Sequence, residues 1–416
     1  MITYEKKVLK NKLEVYALPV NKNSGVISVD IFYKVGSRNE TMGKSGIAHM
    51  LEHLNFKSTK NLNAGEFDTI VKGFGGVDNA STGFDYTHYY IKCSKQNLEQ
   101  SLGLFAELMQ NLSLKDEEFQ PERQVVLEER RWRTDNNPLG YLYFRLYNHA
   151  FLYHPYHWTP IGFYKDIENW SIEDIKSFHK SFYQPQNAIL VVSGDVEPKD
   201  LFEKASKHFE KIKNTGKIPK IHTKEPKQDG ARRAELTKET QTEFLALAFK
   251  IPNFKHKDIP ALSALAELLG NGKSAIINEI LVDKLSLVNE FYAFVSDSVD
   301  ENLFMFILTC NPGVKAEEVE KKLLAILHSI KQGKISKRSL QRVKNNTRSD
   351  FIFSLNNASA LSNICGSYLA RGDLKPLLNY EKNIAALKLE DLVEVATKYF
   401  IRENSTTLIL RKENNG

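Results

Sequence analysis

Two spacings of apolar residues alternate along the chain. Residues 26–33 and 188–193 alternate or run apolar over a few positions, as strands do, and residues 78–84 are followed closely by 86–92, as antiparallel neighbours would be. Between them, stretches near 46–57, 64–73, 96–112, 115–135, 138–152, 171–182 and 197–212 repeat their apolar positions every three to four residues and predict helices. This interleaving predicts an α+β domain, a mostly antiparallel sheet covered by helices.

The pattern is used twice. Ile172-Glu173-Asp174-Ile175, Phe182-Tyr183 and Asn187 recur as Leu389-Glu390-Asp391-Leu392, Tyr399-Phe400 and Asn404, each 217 residues later, and Cys93 returns as Cys310 at the same offset. A period this long means two similar domains, because a solenoid repeats every few tens of residues. Residues 214–230, rich in proline, glycine and lysine, have little to bury and predict the junction. The expected division is a first domain at 1–214, a linker at 215–232 and a second, similar domain at 233–416.

Composition narrows the class without choosing a function. The 416 residues are 42% hydrophobic and 26% charged, ordinary for a globular enzyme. The net charge of +6 is spread out, densest at 211–233, and no aromatic–basic alternation points to nucleic acid. Cys93, Cys310 and Cys365 form neither an even set nor a C-x-x-C pair, which suits a reducing compartment and three buried thiols. The first residues lack the features of a secretory or transit peptide and no run of eighteen apolar residues occurs, so a cytoplasmic chain without a membrane span is the expectation.

The chemistry is concentrated in His49-Met50-Leu51-Glu52-His53. On a helix His49 and His53 stand one turn apart on one face and can offer two imidazoles to one metal, with Glu52 in reach of a metal-bound water. This is the inverted form of the H-E-x-x-H zinc motif. With eleven histidines in the chain, chance alone yields such a run about once in fifty chains of this composition. The apolar flanks Ile47, Ala48, Met50, Leu51 and Leu54 argue against two merely solvated histidines. In the repeat, with a two-residue slip, the motif falls on Ala264-Leu265-Ala266-Glu267-Leu268, so the second domain has lost the ligands.

Catalytic zinc takes three protein ligands, so a third donor is expected elsewhere. Residues 121–132 form a breaker-free helix, with Pro121 at its first position. There Glu122, Val125, Val126, Glu129 and Trp132 share one face. Glu129, near the middle of that face, is the expected third metal ligand. Glu122, two turns earlier, is the candidate to orient a ligand, and Glu128, Arg130 and Arg131 read as a solvated charge run. His88 reads as a surface or cross-strand residue, and His154 and His157 belong to an aromatic loop. The glycine-rich stretch 73–83 lacks the Lys-Ser/Thr of a phosphate loop.

Three separated motifs carry a resemblance to the pitrilysin-type, or inverzincin, zinc peptidases, the family of the mitochondrial processing peptidase and the insulin-degrading enzyme. They are Gly36-Ser37-Arg38-Asn39-Glu40 leading into His49–His53 and Phe56-Lys57, then Asn79-Ala80-Ser81-Thr82-Gly83, then Glu122 through Glu129. The chain resembles the short two-domain form, as in the processing peptidase beta subunit and bacterial zinc proteases, over essentially its whole length. The resemblance implies Zn2+ held by His49, His53 and Glu129, Glu52 as catalytic base, Glu122 in support, and peptide substrate paired to an edge strand at Asn79 and Ala80. It also implies an active pair of chains, a homodimer or a heterodimer with a related subunit. Many short members carry an arginine and a tyrosine near the end of the second domain. Here residues 358–366 hold neither, and Tyr368 and Arg371 follow in reverse order. The function expected is a zinc endopeptidase acting on unfolded polypeptides or oligopeptides; the alternatives are a non-catalytic subunit of the same architecture and a non-peptidase zinc hydrolase.

Overall fold

The computed structural model describes residues 2–413. Among the described residues the eleven strands are β1 (Glu5–Val8), β2 (Glu14–Pro19), β3 (Val26–Tyr33), β4 (Val77–Thr82), β5 (Thr87–Ser94), β6 (Ala188–Gly194), β7 (Arg232–Lys238), β8 (Phe244–Ile251), β9 (Val288–Val295), β10 (Asn302–Cys310) and β11 (Ser405–Lys412). They form two sheets, ordered β1-β2-β6-β3-β5-β4 and β7-β11-β8-β10-β9. Pairing is antiparallel except for β2 with β6 and β7 with β11, one parallel pair per sheet. The fold is α+β, as the spacing of apolar residues predicts. The repeat is visible in it, since the helices Ile172–Phe182 and Leu389–Tyr399 occupy equivalent places in chain order before β6 and β11.

The chain divides into two compact units, and neither is continuous in sequence. One holds the residues up to Arg130, Trp158–Thr223 and Ile352–Leu378; the other holds Arg131–His157, Lys224–Phe351 and the residues from Asn379 on. One crossing, between Thr223 and Lys224, falls inside the expected linker. The others arise because each sheet takes a helix from the opposite half of the sequence: Ala358–Ala370 lies on β3 and β6, and Pro138–Ala150 lies on β8 and β11. That is why β6 and β8 are buried along their whole length and read as continuous apolar runs, each covered on both faces.

In the first unit Val15, Ile31, Ile91 and Leu190 from the sheet meet Met50, Leu51, Leu102 and Val126 from the helices in one apolar core. The other face of this sheet is polar beneath the helix Ala358–Ala370. Asp30 accepts hydrogen bonds from Ser28 and Ser362, both at 2.6 Å, and pairs with His88 at 2.7 Å, all four residues being buried. His88 is therefore a satisfied cross-strand residue opposite Phe32 in the β3–β5 register. In the second unit Leu247, Phe249, Phe304 and Phe306 pack with Leu265 and Leu392. Cys93, Cys310 and Cys365 are buried free thiols. Among the described residues no helix is long and apolar enough to cross a membrane.

Candidate metal centre

The helix Ile47–Asn55 carries the His49–His53 motif as the sequence predicts. It buries Ile47, Ala48, Met50, Leu51 and Leu54 and leaves His49, Glu52 and His53 half-buried on another side. The imidazoles stand 4.7 Å apart between ring centres at 78°, with their Nε2 atoms 3.3 Å from each other. Glu129 Oε2 closes the triangle at 3.5 Å from His49 Nε2 and 3.3 Å from His53 Nε2. Among the described residues this is the one group of three side chains whose donor atoms converge on a common point. The edges fit a small cation: four ligands at about 2.0–2.1 Å in a tetrahedron lie roughly 3.4 Å from one another.

The Glu129 helix differs in detail from expectation. It runs Asp116–Arg130, with Pro121 inside it rather than at its first position, because Asp116, Glu117 and Glu118 favour an earlier start at the positive end of the helix dipole. Its buried stripe is Phe119, Glu122, Val126, Leu127 and Arg130, whereas Val125 is 50% exposed and Trp132, in the π-helical turn Arg131–Asp135 that continues the helix, 73%. Glu129 sits at the margin of that stripe, turned to the two histidines. Arg130, read from the sequence as solvated, is buried and donates to the Gly162 carbonyl.

Glu122 is buried next to the site. Its Oε1 lies 2.8 Å from His53 Nδ1 and its Oε2 2.6 Å from Lys57 Nζ. In the neutral imidazole a carboxylate accepting from Nδ1–H leaves the Nε2 lone pair facing Glu129 and His49. Burial alone would lower the basicity of His53, but Glu122 and Glu129 outweigh it and raise its pKa to about 9. Burial opposes ionisation of Glu122 as well, yet the His53 and Lys57 partners hold its pKa below the usual carboxylate value.

Two neighbours of Glu52 escaped the sequence reading. The Thr82 hydroxyl, on β4, donates to Glu52 Oε2. Tyr89, buried behind the helix, accepts from Asn55 Nδ2 at 2.7 Å, and the same Asn55 amide donates to the Leu51 carbonyl at 2.9 Å. Alternation along β4 puts Thr82 on the same side as Ala80, a signal the sequence did contain. β4 is the last strand of its sheet. Asn79 is exposed and Ala80 half-buried, and the Ala80 N–H donates to the Asn79 side-chain oxygen at 2.8 Å, so that amide is turned away from β5 toward the open edge. His154 and His157 lie in the other unit, bonded to Asp300 and to the Phe151 carbonyl.

Residues 15–152 match the family described as Insulinase (Peptidase family M16), and residues 169–347 that described as Peptidase M16 inactive domain. His49, His53, Glu122 and Glu129 all lie in the first range. The chain is similar to zinc protease PqqE of Helicobacter pylori, with 54% identity over 98% of this chain and 93% of that one. The crystal structure of a protease from Helicobacter pylori, 53% identical, matches with a TM-score of 0.97 over 99% of this chain and 100% of that one. The mitochondrial-processing peptidase subunit beta of Bos taurus is 25% identical over 94% of this chain and 81% of its own. With two adjoining M16 matches and a relative more than half identical along nearly its whole length, the chain belongs to peptidase family M16.

Proposed function

We propose that this chain is a zinc-dependent endopeptidase hydrolysing peptide bonds in unfolded polypeptides or oligopeptides. The observation that carries the reading is the convergence of His49, His53 and Glu129 beside Glu52, three donors and a base on two helices. In this reading the three donors hold Zn2+. When bound, zinc supplies Lewis acidity that polarises the scissile carbonyl and acidifies water. Glu52 takes the proton of the attacking water and returns it to the leaving amine, and Thr82 holds that carboxylate in place. Glu122 keeps His53 in the tautomer that presents Nε2.

Substrate binds as an added strand along β4, where main-chain hydrogen bonds to Asn79 and Ala80 give affinity with little sequence preference. The Ala80 amide, turned to the open edge, supports this. The working form is a pair of chains, a homodimer or a heterodimer with a related subunit; one relative is itself named as a subunit. A cytoplasmic, reducing location suits the three buried free thiols. The division of labour between a metal-binding first domain and a second domain without ligands is part of the same proposal.

The test is digestion of quenched peptides by purified, zinc-assayed protein, with small esters in parallel and the mass read by light scattering. Cleavage of peptides but not esters by a dimer is expected. The family description "inactive domain" for residues 169–347 favours a second reading, a non-catalytic subunit. That reading requires no turnover from a zinc-loaded chain, alone or with a partner.

A further inference from the structure

The helix that carries the two histidines starts without a cap of its own. Its first residue is preceded by Gly46 at φ 87°, which has no side chain to accept from the first-turn amides. Those amides go to a side chain from outside the helix. Glu40 Oε2 accepts from Gly46 N and Glu40 Oε1 from Ala48 N, both at 2.8 Å, so one carboxylate spans the first turn up to the residue before His49. Glu40 is 5% exposed and its Oε2 also accepts from Trp158 Nε1 at 2.7 Å.

Trp158 begins a segment that grips both ligand helices. On the His49 side, Ser45 donates to Asp166 through its backbone N at 2.9 Å and its hydroxyl at 2.6 Å, and Phe163 N donates back to Ser45 Oγ at 2.8 Å. On the Glu129 side, Arg123 donates to the carbonyls of Glu168 at 3.1 Å and Trp170 at 2.9 Å, and Arg130, next to Glu129, donates to Gly162 O. The backbones touch: a Cβ on Gly46 would stand 2.7 Å from Ile161 O, and one on Gly162 2.5 Å from Ser45 O. Segment 158–170 thus braces the first turn of the His49 helix and, through Arg123 and Arg130, the middle and the end of the Glu129 helix, and none of these contacts involves a metal donor.

From this we infer that Glu40, together with Trp158, is a positioning residue of the metal centre: it locks the first turn of the His49 helix onto the segment that Arg123 and Arg130 fasten to the Glu129 helix, and so sets the spacing of the ligands. The inference rests on the metal reading above. A glutamine at position 40 offers one oxygen in place of two and turns an amide against a backbone N–H, whereas phenylalanine at position 158 removes one N–H donor and keeps a buried ring.

The experiment compares wild type, Glu40→Gln and Trp158→Phe in zinc affinity by chelator competition, in the visible spectrum of the cobalt-substituted protein, and in the melting temperature of the metal-free form. Glu40→Gln should bind zinc about 10–100-fold more weakly and shift the cobalt bands; Trp158→Phe should move both in the same direction, affinity by about fivefold. If Glu40→Gln does not fold, Trp158→Phe decides the matter. A lowered melting temperature with wild-type zinc affinity and cobalt spectrum, measured well below that temperature, overturns the inference and leaves Glu40 a stability residue. Wild-type protein that binds neither zinc nor cobalt overturns the metal reading and this inference together, a result distinct from the former.

Discussion

Replacing Glu122 by alanine removes the one carboxylate that ties His53 Nδ1 at 2.8 Å to Lys57 Nζ at 2.6 Å. A hydrogen bond to a charged group contributes about 1.5–3 kcal/mol, and losing the partner that orients a ligand costs about 10–100-fold in metal affinity, or roughly 1.4–2.8 kcal/mol. Proton competition sets where that loss is visible. With its pKa raised to about 9, metal-free His53 is protonated at neutral pH, and zinc must displace that proton. Without Glu122 the imidazole is less basic, so competition is weaker and partly offsets the lost orientation near pH 7. The gap between variant and wild type should therefore widen as pH rises to about 9 and then level off. Zinc titrations against a chromophoric chelator from pH 7 to 10 measure it, with Lys57→Met as the control that spares the Glu122–His53 bond. Equal affinities at pH 9 and above would refute the assignment and leave Glu122 a buried partner of Lys57 with no role toward the metal.

Thr82→Val should retain stoichiometric zinc and lower kcat about tenfold, because Glu52 loses a hydrogen bond to its ionised form; an unchanged kcat contradicts a role for Thr82. Ala80→Pro removes the edge N–H and should raise KM for peptides several-fold with zinc content unaltered, which steady-state kinetics on quenched peptides will read. Burial depresses the pKa of His179 to about 4, so the folded protein takes up its proton later than the unfolded chain, whose histidines titrate near 6.5. Its contribution to stability is full above pH 6.5 and falls by up to about 3 kcal/mol as pH drops to 4. Urea unfolding at pH 7 and 4.5 should show a shallower loss for His179→Phe than for wild type, and equal losses would contradict the assignment.

The sequence carried the parts of the site that depend on local spacing. His49, Glu52 and His53 are placed by one helical turn and Glu122 and Glu129 stand two turns apart on a second helix, but that the two helices bring His49, His53 and Glu129 together is tertiary geometry that no period states. The apolar stripe assumed around Glu129 was wrong in its members. Val125 and Trp132 are exposed, because a helical wheel gives directions around one axis and does not say which direction meets the core. The helix near 138–150 was legible from its period and that at 358–370 was not read, and periodicity does not say which sheet a helix covers, so the exchange between halves was out of reach. Glu40 lay in view within Gly36–Glu40. Its bonds to Gly46 N and Ala48 N depend on a loop closing over six residues, and that tertiary geometry leaves no period to read.

In the proposed mechanism His49, His53 and Glu129 hold zinc while Glu52 moves the proton. It is tested most directly by measuring zinc content and peptide turnover on the same preparations of Glu52→Gln and Glu129→Ala. Glu52→Gln should keep one zinc per chain and lose hydrolysis, and Glu129→Ala should lose zinc and activity together. A Glu52→Gln protein with near-native turnover, or a Glu129→Ala protein with full zinc, would contradict it.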